Sequence, residues 1–126
     1  AHPFGPALSF LHDTTDKSVR TWFTPDVRMQ GGTGWVHGGF IALLLDEIMG
    51  KTLSANDMGG APTAKLEVNF RKPTRLGVPM ELVGRLEENV GRKYTLVGEL
   101  REAEGERVLL AEGRGLFVRP LRRATA

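Results

Sequence analysis

"GGTGWVHGGFIALLLDEIMGK", residues 31–51, decides the fold. From Gly39 to about Ala55 the chain is long, dense in Ala, Leu, Ile and Met, and free of proline, which predicts a helix. Five glycines between residues 31 and 39 precede it as a loop, and "MGGAP" ends it. Between Phe40 and Leu45 the helix is apolar nearly all round, so it must be wrapped: either a sheet curls about it or a second subunit closes its far side. Yet Asp46 and Glu47 sit in its middle, and an unpaired buried carboxylate is costly. These acids must be solvated, paired or used.

Outward from the helix the pattern changes to period two. "SVRTWFTP" predicts a short strand ended by Pro25, after an irregular lead-in over residues 1–16 that contains Pro3 and Pro6. Downstream, "TAKLEVNF" alternates Leu66, Val68 and Phe70 with polar residues as a half-buried strand. "MELVGRLEEN" and "KYTLVGELRE" follow, then "RVLLAEGRGLFVR", where Gly113 and Gly115 are expected to weaken or bend the last strand. One helix and about five strands, four of them consecutive across short turns, make an α+β domain with an antiparallel sheet. We expect a single domain over residues 1–126, with residues 121–126 as a basic tail bearing Arg122 and Arg123.

Composition narrows the function classes. The chain has 126 residues, 40% hydrophobic and 25% charged, with a formal net charge of +2. That balance points to neither nucleic acid nor an anionic membrane as partner. With no cysteine, disulfides, zinc–thiolate centres and thiol nucleophiles are excluded. No run approaches the roughly 20 apolar residues of a membrane span. The first ten residues lack a signal-peptide pattern, so a cytoplasmic protein is expected. The chain does not begin with Met, which leaves an upstream segment open.

On a 3.6-residue period Asp46 shares a small-residue stripe with Gly39, Ala42 and Gly50, with Leu43 at its margin. Glu47 shares its face with Phe40, Leu43 and Lys51, and Lys51 stands four residues on, where it can pair. Asp46 is therefore the better candidate for chemistry; the plain alternative is a solvent-facing aspartate. His37-Gly38-Gly39 opens the helix, leaving backbone N–H groups accessible at the positive end of the macrodipole. Such donors can polarise a carbonyl, although a tight turn that merely positions the helix uses the same residues. Gly38 and Asp46 are eight residues apart, roughly 12 Å along the axis. A reacting carbonyl needs donor and attacking group each within about 3 Å. If both act on one carbonyl, they come from two copies of the helix lying side by side.

"VHGGFIALLLDEIMG", with Gln30-Gly31 just before it, resembles the HGG motif of PaaI-type hotdog-fold acyl-CoA thioesterases. "APTAKLEVNFRKPTRLG", "GRKYTLVGEL" and "LAEGRGLFVRP" extend the resemblance over about residues 17–120. It implies a hotdog fold, a curled antiparallel sheet of about five strands wrapped around one long central helix. It also implies a homodimer, commonly a homotetramer, with composite active sites, no metal and no cofactor beyond the CoA of the substrate. By the same resemblance Gly38 would present the polarising N–H, with His37 and Gly39 shaping the helix entry. Asp46 of the partner subunit would attack the thioester or activate water, and Gln30 would orient the thioester or the water. Where some relatives carry a threonine one turn after the acid, this chain has Gly50; Thr63 is the substitute hydroxyl. Arg71, Lys72, Arg92 and Lys93 are candidates for the CoA phosphates, with ordinary solvated charges as the alternative. Phe40, Trp35 and Met49 are candidates for the acyl pocket. A non-catalytic acyl-CoA-binding hotdog domain is the rival reading. A hotdog hydratase fits the HGG arrangement less well.

Overall fold

The computed structural model describes residues 9–121. The expected start of the lead-in and the Arg122–Arg123 run lie outside the described residues. Among the described residues six strands form one antiparallel sheet: β1 (Leu11–His12), β2 (Val19–Phe23), β3 (Thr63–Phe70), β4 (Met80–Val90), β5 (Lys93–Glu102) and β6 (Leu109–Val118). The order across the sheet is β1-β2-β4-β5-β6-β3. One long helix, α1 (Gly38–Ala55), packs on its inner face, and a 3-10 turn covers Val27–Met29. This is the curled sheet around a central helix that the sequence predicts, with one strand more. The addition is β1, inside the stretch expected to be irregular. It exists because a tight turn at residues 13–18 folds it back on β2 and because His12 Nε2 meets Asn56 Oδ1 at 2.9 Å.

Helix α1 buries Ile41, Leu44, Leu45, Ile48, Met49, Thr52 and Leu53, a stripe of the helical period. Beneath it three glycines stand in register across neighbouring strands, Gly84 opposite Gly98 and Gly98 opposite Gly113. Their lack of side chains lets the helix bed directly on the backbone. A Cβ on Gly84 would overlap the Thr52 hydroxyl and reach 2.8 Å from the Ile48 carbonyl oxygen; one on Gly98 or Gly113 would stand 3.3 Å from Leu45. β6 runs through Gly113 and Gly115 to Val118. Their role is close approach of the helix.

Among the described residues the helix is covered on one side only. Leu43 is 42% exposed on its outer face. At its C-terminal end Asn56 Nδ2 donates to the carbonyls of Thr52 and Lys17, tying the last turn to the β1–β2 hairpin. On the outer face of the sheet, ion pairs take the place of apolar contacts. Glu81, 4% exposed, lies between Arg20 and Arg107, and Glu99 lies between Arg85 and Arg101.

The two edges of the sheet differ. β1 offers two residues, whereas β3 offers eight and pairs only with β6. The alternation read along β3 holds for Leu66 and Val68, which are half-buried, but Phe70 is 55% exposed.

Candidate active site

The helix start is built by His37. Its main chain is extended, its own N–H reaches the Met29 carbonyl at 2.7 Å, and its Nδ1 accepts from Gly39 N–H at 2.9 Å. Phe40 and Ile41 N–H groups go to the His37 carbonyl. The Gly38 N–H has no partner among the described residues. The cap thus satisfies its neighbours and leaves open the one donor singled out from the sequence. His37 does the work of a helix cap, and the Nδ1 that accepts from Gly39 fixes the imidazole's orientation.

The loop before the helix is held as tightly. Gln30 bridges Val36 through the backbone, and its Oε1 accepts from Gly34 N–H at 3.0 Å. In this structure the Gln30 amide shapes the loop. Gly31 is required there, since a Cβ would stand 3.0 Å from His37 Cα. The loop is also fastened to the segment after β3: Val36 N–H donates to Thr74 O at 2.8 Å, Leu76 N–H to Gly34 O at 3.0 Å, and Trp35 bridges Arg75.

Asp46 lies two turns along. It is half-buried, and Thr63 Oγ1 donates to its Oδ1 at 2.7 Å. The hydroxyl selected from the sequence as a stand-in one turn after the acid is thus brought to it from β3. This bond occupies one oxygen and orients the carboxylate, leaving Oδ2 able to face a ligand. A cavity of about 520 Å³ opens here, floored by Asp46, Gly50 and Ser54 and walled by Pro62, Thr63 and Phe117. Lys51 also borders it, with its ammonium 5.2 Å from the centre of the Phe10 ring, a contact the expected pairing with Glu47 did not include.

Gly38 and Asp46 face different cavities. The Gly38 cavity, about 320 Å³, is lined by Trp35, Val36, Ile41, Phe70 and Thr74 and shares no residue with the Asp46 cavity. The Phe70 ring lies against Gly38, 3.6 Å from where its Cβ would be. So α1 runs antiparallel to β3, with Gly38 beside Phe70 at one end and Asp46 beside Thr63 at the other. Within one copy the two groups are separated, as their spacing on the helix requires.

The four basic candidates fall into two groups, at opposite ends of β3. Arg71 and Lys72 follow Phe70, near Gly38. Arg92 and Lys93 lie at the Thr63 end, where Val118 N–H meets the Pro62 carbonyl and Lys93 pairs with Val118. Arg71 is engaged by Glu112, and Arg92 Nη1 donates to the Arg119 carbonyl at 2.9 Å. Sequence reasoning missed Arg75, whose guanidinium stacks 5.5 Å from the Trp35 ring centre. The two are forty residues apart, and no local pattern pairs them. Of the pocket candidates, Trp35 lines the Gly38 cavity and Phe40 is half-buried. Met49 is fully buried beneath the helix, because it lies on the stripe facing the sheet. No helix among the described residues is long and apolar enough to cross a membrane.

Comparison with known proteins agrees with this architecture. Residues 33–109 match the family model of the thioesterase superfamily. The acyl-coenzyme A thioesterase THEM4 of Bos taurus is 32% identical over 91 residues, 72% of this chain and 36% of that protein. The chain spans about half or less of the length of the curated THEM4 relatives it matches. A crystal structure of a thioesterase superfamily protein, 36% identical, superimposes with a TM-score of 0.81 over 88% of this chain and 55% of that one. The PaaI protein of the E. coli phenylacetic acid degradation operon, 15% identical, shares the fold with a TM-score of 0.79 over 89% of this chain and 82% of its own. By the family model that covers residues 33–109 the chain belongs to the thioesterase superfamily, and it shares its fold with PaaI.

Proposed function

We propose that the chain hydrolyses acyl-CoA thioesters to a free acid and CoA, in a site shared by two copies. The observation that carries this is the antiparallel placement of α1 and β3, with the open Gly38 N–H at the Phe70 end and the Thr63-bonded Asp46 at the other. β3 is a long edge strand with an unpaired side, a natural site for strand pairing. Two copies joined antiparallel through β3 about a twofold axis place Thr63 of one opposite Phe70 of the other. The Asp46 of one copy then approaches the Gly38 of its neighbour, uniting the two groups that one helix keeps about 12 Å apart.

In that site the Gly38 N–H, at the positive end of the helix, stabilises charge on the thioester oxygen as it becomes tetrahedral. Asp46, oriented by Thr63, either attacks the carbonyl carbon, expelling CoA and forming an acyl-aspartyl anhydride that a water then hydrolyses to the acid, or takes a proton from a water that attacks the carbonyl directly. In both routes a proton from that water or from solvent reaches the sulfur as CoA leaves. The names of the THEM4 relatives support the acyl-CoA class. Release of free thiol from a panel of acyl-CoAs tests the proposal, and the cysteine-free chain contributes no background thiol. Asp46→Asn is expected to lower the rate about 10²- to 10⁴-fold with folding intact. An unchanged rate refutes the role of Asp46. Saturable binding of acyl-CoA with no release by wild type favours the ligand-holding domain.

A further inference from the structure

We infer that Gly50 and Ser54 set the acyl-chain length, in a groove beside Asp46 that takes aliphatic acyl groups of medium length. The inference rests on the hydrolase reading and adds the class of acyl group and the residues that choose it. It starts from a glycine that the fold does not need. Gly50 lies inside α1, where glycine weakens a helix. It is not among the residues of positive φ, so no backbone conformation calls for it. Packing does not call for it either. A Cβ on Gly39 would press on the His37 ring at 3.0 Å, and one on Gly84 would overlap Thr52, but one on Gly50 would meet no atom within 4 Å outside its own stretch of helix. What the missing side chain supplies is room, and that room belongs to the cavity of about 520 Å³ that Asp46 borders.

The segment between α1 and β3 runs beside the helix and is held at both ends. Thr63 bonds Asp46 at 2.7 Å, and the Cβ position of Gly59 lies 3.4 Å from Ser54 Oγ. Between these two contacts the cavity is a groove, with Gly50 on the helix side and Ala61 and Pro62 across from it. Asp46, Gly50 and Ser54 are spaced four apart, so they follow one another along one side of the helix. Gly50 stands about 6 Å from Asp46 along the axis and Ser54 about 12 Å. An extended carbon chain advances roughly 1.3 Å per carbon, so an acyl chain with its carbonyl at Asp46 passes Gly50 near its fifth carbon and Ser54 near its ninth or tenth. The charged groups bordering the groove are Asp46, Glu47 and Lys51, one negative unit on balance. That field repels the phosphate-bearing half of a CoA ester and costs a neutral acyl chain nothing.

The test reads thiol release from acyl-CoAs of four to ten carbons, alongside binding of the matching alkyl-CoA thioethers, which cannot be hydrolysed. For wild type kcat/KM should rise about twofold per methylene, half-buried methylenes giving less than the roughly fourfold of full burial. Gly50→Leu should lower the ten-carbon to four-carbon ratio about tenfold or more. Ser54→Leu, at an exposed position, should keep the rise up to about eight carbons and remove it beyond. Thioether affinities should follow the same pattern without hydrolysis. A wild-type profile flat in chain length overturns the inference, as does a ratio unmoved by both variants while thiol release continues. An equal loss at every length in Gly50→Leu, or a changed oligomeric state on size exclusion, assigns the room to the neighbouring copy and also overturns it. If wild type releases no thiol, yet thioether binding tightens with chain length and Gly50→Leu abolishes that gain, the hydrolase reading fails and the acyl groove stands.

Discussion

Gly84→Ala tests how the helix is seated. Gly84 lies in β4 directly beneath α1, and its added methyl would overlap the Thr52 hydroxyl and approach Ile48 O to 2.8 Å and Ile48 C to 3.2 Å. The Thr52 side chain can turn away, but only by giving up its 2.7 Å bond to that same Ile48 carbonyl inside the core. The helix backbone cannot turn away; it must lift by several tenths of an ångström. Overpacking of this kind costs about 1–3 kcal/mol, and the lost buried hydrogen bond about 1 more. Against this, alanine restricts the unfolded chain and returns about 0.4–1 kcal/mol. The net expectation is a loss of about 2–3 kcal/mol, which lowers the urea midpoint by about 1 M at an ordinary slope. Equilibrium urea unfolding followed by fluorescence measures it. A midpoint equal to or above that of wild type, at an unchanged slope, refutes the claim that the glycine row sets the helix height.

Gly50→Ala should do the opposite: its Cβ meets nothing within 4 Å, so the helical alanine stabilises by about 0.5–1 kcal/mol in the same unfolding assay. Thr63→Val removes the donor to Asp46 Oδ1, and thiol release should fall roughly tenfold while stability barely changes; an unaltered rate would reduce Thr63 to an incidental neighbour. Asp16 accepts from both the hydroxyl and the N–H of buried Ser18, and these bonds, the hydroxyl's first, hold its carboxyl below the ordinary value. A depressed folded pKa contributes stability above the unfolded value and loses it as pH falls through the folded one. The stability difference between wild type and Asp16→Asn, measured by thermal unfolding, should therefore be present at neutral pH and close under strong acid.

Most of the architecture was legible because its signals are local. The apolar run from Gly39 onward, bounded by glycine-rich stretches, specifies α1, and the alternation of Leu82, Leu96 and Leu100 with polar residues specifies β4 and β5. β1 was not legible: two residues carry no period, and the strand depends on His12 meeting Asn56, forty-four positions away. The packing role of the β6 glycines was not legible for a related reason. A glycine in a strand signals absent packing until one knows that Leu45 and Met49 press on that spot. At the site, spacing along one helix was enough to separate Gly38 from Asp46. Which cations are available was not, because Glu112 engages Arg71 and Trp35 orders Arg75 only after the sheet has formed.

The inequality of the two sheet edges has a consequence for growth. In polymer chemistry a monomer with two reactive ends forms chains, whereas a monomer with one stops at the pair. This sheet behaves as the second kind, since β3 offers eight residues for lateral pairing and β1 only two. Once two copies join through β3, the outer margins of the combined sheet are the short β1 strands, each backed by the Asn56 clasp. The edge that would assemble the catalytic pair is thus consumed in doing so, and among the described residues continued strand addition is left with no edge longer than β1 as a template.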